Sequence, residues 1–149
     1  MAIRRWLAML LVLPGIIGGV LVGSSGTASA LPPCNNNTVH YLSEPAPPYY
    51  SRYYQPTTEL YSGDTNCVLA TGSSGGGVFT LQDSLIRCYH QNITFDGMYG
   101  PQTRQAVINV QNFHHLTPDG VFGPLTNNTM VWPKYKADTG DFWYCWWLP

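Results

Sequence analysis

Eight residues occur twice in this chain: Asp96-Gly97-Met98-Tyr99-Gly100-Pro101-Gln102-Thr103 returns, 23 residues on, as Asp119-Gly120-Val121-Phe122-Gly123-Pro124-Leu125-Thr126. Each copy reads as a turn that runs into a helix. Asp-Gly favours a turn in which glycine takes a positive φ that other residues avoid. The apolar pair that follows is placed to plug a core. Proline after Gly then suits the first helical position, where its missing N–H is not needed. The Asp carboxylate is expected to reach free amides at that helix start. The pattern predicts a second helix from Pro101 to about His114, burying Ala106, Val107, Val110 and Phe113, and a third from Pro124 to about Trp132. Two copies are too few for a solenoid.

Upstream, Val78, Leu81, Leu85 and Cys88 fall on one helical stripe, with Gln82, Asp83 and Arg87 off it. This predicts a first helix over 78–89. The glycine-rich Gly72–Gly77 that precedes it lacks the Gly-Lys-Ser/Thr ending of a phosphate-binding loop, so it reads as a tight turn into the helix. From Leu31 to Asn66, Pro45, Pro47, Pro48 and Pro56 break any helix, leaving loops with room for a short strand pair. The chain closes on Phe142-Trp143-Tyr144-Cys145-Trp146-Trp147. That stretch is either a sugar-stacking platform or, the favoured reading, a cover for the helical core, since tryptophans left in water invite aggregation.

Arg4 and Arg5 open an apolar run from Trp6 to Val22, and Ala28-Ser29-Ala30 supplies the small residues a signal peptidase accepts. Residues 1–30 therefore read as a secretory signal rather than an anchor, because Pro14, Gly15, Gly18 and Gly19 weaken a membrane span. The expected organisation is a signal peptide at 1–30, an irregular extension at 31–66, a helical domain at 67–132 and an aromatic tail at 133–149. Beyond Ala30, five basic residues stand against eight acids, a net charge of −3. With no cluster of Lys and Arg to displace counterions, nucleic acid is not an expected partner. All four cysteines, Cys34, Cys67, Cys88 and Cys145, lie beyond Ala30. An even number in an exported chain reads as two disulfides, and the spacing holds no close cysteine pair of the kind that binds zinc. Three pairings are open. The one that ties each end of the chain to its middle, Cys34–Cys67 with Cys88–Cys145, is preferred.

These motifs resemble the three-helix peptidoglycan-binding domain of cell-wall hydrolases. The family shows a glycine-rich entry, a V-x-x-L-Q helix, D-G-x-[FY]-G-P-x-T, then A-V-x-x-[FV]-Q and a second D-G-x-x-G-P-x-T. Here they stand as Gly75–Gly77, Val78-Phe79-Thr80-Leu81-Gln82, Asp96–Thr103, Ala106-Val107-Ile108-Asn109-Val110-Gln111 and Asp119–Thr126. The likeness covers about Val68 to Trp132. The cysteines and aromatic flanks look like those of exported actinobacterial proteins. One departure is His114-His115-Leu116-Thr117-Pro118, where the family often has a Gly-Leu turn. The resemblance implies a mainly α fold, a small disulfide-stapled three-helix bundle with irregular flanks, and peptidoglycan as partner. It also implies a ligand groove near the repeat turns and the second helix.

The residues themselves favour binding over cutting. Glu44 and Glu59 sit in the proline-rich loops and Asp96 and Asp119 in the turns, so no pair of carboxylates is set for glycan cleavage. His114 and His115 are adjacent and point apart on a helix, while His40 and His90 are isolated, so no metal or other cofactor is expected. Tyr99, Gln102, Arg104, Gln105, Asn109 and Asn112 offer the amides, cation and aromatic ring that suit a glycan with peptide stems, Arg104 being able to pair with a stem carboxylate. The expectation is a monomeric, secreted, wall-associated binder. A scaffold that reuses the fold, or an accessory module of a hydrolase system, is the alternative. Mass spectrometry of the exported protein should find an N-terminus at Leu31 and no alkylatable thiol before reduction. A retained leader would overturn the localisation.

Overall fold

The computed structural model describes residues 30–44, 50–60 and 62–147, so the signal segment lies outside the described residues, apart from Ala30. Seven elements follow in order: β1 (Asn36–Ser43), β2 (Tyr50–Thr57), α1 (Gly76–Arg87), α2 (Pro101–Phe113), α3 (Pro124–Thr129), β3 (Val131–Lys136) and β4 (Phe142–Trp147). The strands form one antiparallel sheet in the order β1-β2-β3-β4. This corrects the mainly α expectation. The two flanks read as irregular supply the sheet, and the helical segment is inserted between its second and third strands. No described helix is long and apolar enough to cross a membrane.

The flanks pair for reasons that proline counting hides. β1 and β2 align over their whole length, from Asn36 opposite Thr57 to Ser43 opposite Tyr50. Their Thr, Val, Tyr and His residues suit a pleated, half-buried surface. α3 ends at Thr129, short of the expected Trp132, because Met130 turns to extended backbone and Val131-Trp132-Pro133 continues as strand. β2 pairs with β3 only from Lys134 to Lys136, the ladder stopping at Pro133, which has no N–H to donate.

The first residues of each repeat do most to build the helical segment. Gly97 and Gly120 both sit at φ +69°. Tyr99 and Phe122 enter the core, whereas Met98 and Val121 stay at the surface, so only the second member of each apolar pair is a plug. Neither Asp caps its helix. Instead each carboxylate accepts its own turn's N–H, Asp96 from Met98 at 2.8 Å and Asp119 from Val121 at 2.9 Å. The partners that hold these turns are two buried glutamines. Gln82 donates to Asp96 Oδ1, the Met98 carbonyl and Thr103 Oγ1, and accepts from the amides of Asp96 and Gly97. Gln111 does the same for the second copy, donating to Asp119 Oδ1, the Val121 carbonyl and Thr126 Oγ1 and accepting from Gly120. Gln82 therefore lies inside the helical stripe, not off it, and is 0% exposed.

The core is Leu69, Val78, Leu81, Leu85, Tyr99, Val107, Val110, Phe122, Met130 and Trp132, all buried. Phe113 is not part of it; the ring is 67% exposed at the end of α2. Cys34 pairs with Cys67 and Cys88 with Cys145, so each end of the chain is tied to the middle. The segment leading into β1 comes so close to α1 that a Cβ on Gly77 would stand 1.9 Å from the Cys34 carbonyl oxygen. Lys134, nearly buried, donates to Glu44 at 2.8 Å and lies 4.0 Å from the centre of the Trp146 ring.

Replacing Gln82 or Gln111 with Leu leaves buried backbone amides without partners and should lower stability by at least about 2 kcal/mol in denaturant unfolding. Gly97→Val and Gly120→Val should each cost about 1 kcal/mol or more, since φ is positive and the added Cβ meets the Phe79 ring or the Arg104 side chain. Unchanged melting in all four variants would mean that the turns are not held this way.

Candidate functional site

α2 opens with Pro101 at its first position and carries its polar stripe outward because Ala106, Val107, Val110 and Gln111 occupy the inward one. Gln102, Gln105 and Asn109 fall at helical spacing along that outer face. They line a cleft of about 200 Å³, completed by Ala106 and by Gln91, Asn92 and Ile93 from the loop after α1. Its amides are arranged in a line. Gln105 donates to Asn109 Oδ1 at 3.1 Å, and Asn109 donates to Gln91 Oε1 at 2.8 Å. Gln102 Oε1 accepts from the backbone and hydroxyl of Thr94. The spare donors and acceptors of these side chains face solvent, which leaves a neutral, hydrogen-bonding surface.

Gln91 and Asn109 also border a second, larger cleft of about 450 Å³, lined by Cys88, Tyr89, His90, Val110, Phe113, Val131 and Trp147. The two clefts thus adjoin along α2, with the Asn109–Gln91 hydrogen bond on the border between an amide-lined end and an aromatic one. The aromatic end is fixed by the Cys88–Cys145 disulfide, which holds β4 and therefore Trp147 against the end of α1. His114 packs edge-on to Trp147, Phe113 and Tyr89, with ring centres 5.3, 4.9 and 5.6 Å away. The Tyr89 hydroxyl lies 2.7 Å from His114 Nε2 and accepts the Val131 amide. Burial pushes the Tyr89 phenol up to about 12, so this hydroxyl stays neutral.

The structure does not bring all the expected ligand residues together. Gln102, Gln105 and Asn109 meet in the cleft. Asn112 is exposed but borders neither part of the groove. The Arg104 guanidinium donates to the Asp119 carbonyl at 2.8 Å and lies over Gly120, so this side chain supports the second turn. Tyr99 is corrected outright. It is 2% exposed, and its hydroxyl donates to the Gly120 carbonyl at 3.0 Å. Sequence reasoning missed Gln91, Tyr89, Phe113 and Trp147 as neighbours. The available signal was the cysteine pair, with Tyr89 next to Cys88 and Trp147 two residues past Cys145. The tail does not simply cover the core either, since Trp146 and Trp147 are 40% and 57% exposed.

Two carboxylates away from the groove are held by hydrogen bonds. Gln82's hydrogen bond, then the Met98 amide, hold the Asp96 carboxyl below the usual range. Hydrogen bonds from Lys134 and Ser51 do the same for Glu44. Among the described residues, no three His, Cys, Asp or Glu side chains are gathered to hold a metal ion.

His114 carries a pH signature. Burial, then the charge of His115, lowers its pKa from 6.5. The unfolded chain therefore takes up this proton first as pH falls. His114 costs nothing at neutral pH, subtracts stability as pH drops below 6.5, and stops subtracting once the folded form is also protonated. Burial shifts His40 the same way. The melting temperature should fall on acidification through this range, and the fall should be smaller but not absent in His114→Gln. An equal fall in wild type and variant would remove His114 as a source.

Residues 74–130 match the family model described as a putative peptidoglycan binding domain. Three solved structures are each similar to about two fifths of the chain. One is a fused Zn-dependent amidase/peptidase/peptidoglycan-binding domain-containing protein from Clostridium acetobutylicum, at 41% identity over 40% of this chain and 26% of that one, TM-score 0.38. Another is a Burkholderia AP3 phage endolysin, at 39% identity over 40% of this chain and 22% of that one, TM-score 0.38. The third is the N-terminal domain of SleB, at 35% identity over 41% of this chain and 84% of that one, TM-score 0.38. The chain spans about a quarter of the length of the first two. A search of curated proteins found no match. The segment from 74 to 130, with its doubled turn and its two buried glutamines, belongs to the peptidoglycan-binding domain family.

Proposed function

We propose that this chain is a secreted, monomeric, non-catalytic protein that binds peptidoglycan through the groove along α2. The observation that carries this reading is the coincidence of the family segment with the groove: Gln102, Gln105 and Asn109 lie within residues 74–130 and line its amide end. Sugar hydroxyls, acetamido groups and stem-peptide amides are neutral hydrogen-bonding groups, and a line of side-chain amides matches them. Trp147 and Phe113 at the other end offer the flat apolar faces on which pyranose rings stack.

Support for a non-catalytic role comes from how the acids are used. A glycosidase needs a carboxylic acid with a raised pKa to protonate the leaving oxygen. Glu44 and Asp96 are shifted the other way. Asp83 is held by Arg87 and the Tyr135 hydroxyl. The four cysteines are oxidised and offer no thiolate nucleophile.

The protein should sediment with purified insoluble cell wall and release no soluble muropeptides from it. Gln105→Ala with Asn109→Ala should weaken sedimentation severalfold. The melting temperature should barely move, because exposed substitutions of this kind usually shift stability by only about 0.5 kcal/mol. Normal sedimentation by the double variant would remove the α2 groove as the site. No sedimentation by wild type would leave the scaffold reading, and release of muropeptides would make the protein an enzyme.

A further inference from the structure

A separate cleft of about 260 Å³ lies where the first turns of α1 meet the sheet, lined by Asn37, Tyr54, Phe79, Thr80, Asp83, Phe95, Pro133 and Tyr135. It shares no residue with the α2 groove. We propose that this cleft is a second saccharide site, which takes one neutral pyranose ring of a glycan strand.

Four observations lead there. The first is a pair of rings that serve no core. Phe79 and Phe95 are 39% and 55% exposed, yet they are locked edge to face with centres 5.2 Å apart. Phe79 is further fixed from behind by Gly97, where even a single added carbon would stand 2.3 Å from its ring. Exposed aromatics held this rigidly form a surface that loses little freedom when a ligand arrives. The second is that aromatic residues come from both sides of the cleft. Tyr54 and Tyr135 belong to β2 and β3 and pack edge to face at 6.1 Å, while Phe79 comes from α1. A pyranose ring presents apolar C–H faces above and below, and aromatic side chains are the natural partners of such faces.

The third observation is the polar lining. The Asn37 amide donates to Thr80 Oγ1 at 3.0 Å and to the Gly76 carbonyl at 3.3 Å, which orients its carbonyl oxygen by default. Asp83 accepts from Arg87 at 2.7 Å and from the Tyr135 hydroxyl. Burial, then the bond to Asp83, holds the Tyr135 phenol well above its ordinary range, so that oxygen remains a neutral hydroxyl. These fixed groups can meet ring hydroxyls. The fourth is charge and size. Arg87 neutralises the one carboxylate, so the cleft offers no free charge to capture an ionised stem peptide. The volume is below the roughly 300–1,000 Å³ of pockets for drug-sized ligands and suits a single sugar. Half of the lining, Asn37, Tyr54, Pro133 and Tyr135, lies outside residues 74–130, so the site exists only because the flanks fold onto the helical segment.

A tetramer of N-acetylglucosamine tests this, since it carries amino-sugar rings and no stem peptide. Titrated into isotope-labelled, disulfide-intact exported protein, it should shift the ring signals of Phe79, Phe95, Tyr54 and Tyr135. Phe95→Ala should weaken the interaction about tenfold at an unchanged melting temperature. Gln105→Ala with Asn109→Ala, which reads the α2 groove, should leave it intact. The wild-type shift map decides the matter even if Phe95→Ala proves unstable. No binding at millimolar tetramer, shifts confined to the groove of Gln105 and Trp147, or full affinity in a folded Phe95→Ala would each overturn the proposal. The shift map reads the Phe79–Tyr135 cleft and the Gln105 cleft by different residues, so failure of either site is visible without the other.

Discussion

Two buried glutamine side chains hold the helical segment together. Gln82 on α1 binds the turn that begins α2, and Gln111 on α2 binds the turn that begins α3. Each helix thus fixes the start of the next, in place of the side-chain caps that α2 and α3 lack. The Tyr99 hydroxyl then crosses from the first turn to the Gly120 carbonyl of the second, linking the two copies. A primary amide is suited to this place because it donates and accepts at once. Glutamate would put a charge into a site with 0% exposure, and an aliphatic residue would strand the turn amides. The entry loop is fastened to the same turns, with Gly75 donating to Gly97 and Leu69 exchanging both bonds with Phe122.

The doubled motif made this much legible in advance. Positive φ at Gly97 and Gly120, Pro101 and Pro124 opening helices, and the inward Val107 and Val110 all follow from local chemistry. Gln82 was misjudged because periodicity sorts residues by hydropathy. A buried polar side chain with every partner supplied looks, in sequence, like a surface one. The sheet was hidden for another reason. A strand pair in 31–66 was open to the sequence, but the β2–β3 pairing that joins the two hairpins spans the whole helical insertion, and neither half carries a repeat to reveal its partner. Proline marked 31–66 as loop, although Pro56 sits in β2 without harm next to its end. Tyr99 was read both as a core plug and as a ligand ring; burial leaves it only the plug.

Three helices, one of six residues, make a small core, and the flanks extend it. Trp132, the largest fully buried side chain, comes from β3 and meets Phe122 of the second turn edge-on at 6.2 Å. The disulfides act at the two places where a flank must stay attached. Cys34–Cys67 holds the approach to β1 beside the entry loop, and Cys88–Cys145 holds β4 beside the end of α1. Cross-links of this kind restrict the unfolded chain, which matters most for domains too small to bury a large core. The same joints create surface. Two clefts, one at the first turns of α1 and one at its end, lie where strand residues meet helix residues.

The proposed recognition is neutral although the protein carries ionised groups near each site. Asp83 is paired with Arg87, Lys134 with Glu44, and Arg104 with a backbone carbonyl. Each charge is spent on holding an element in place: Lys134 and Glu44 link β3 to the end of β1, Asp83 binds Tyr135 of β3, and Arg104 braces the second turn. What remains for a ligand is amide, hydroxyl and aromatic surface. Such contacts are short-ranged and little affected by salt, whereas capture by exposed charge weakens as the ionic strength rises. A surface of this kind is matched to uncharged sugars presented at high local density. There, the two proposed sites would gain from acting together, provided that the strand can span both.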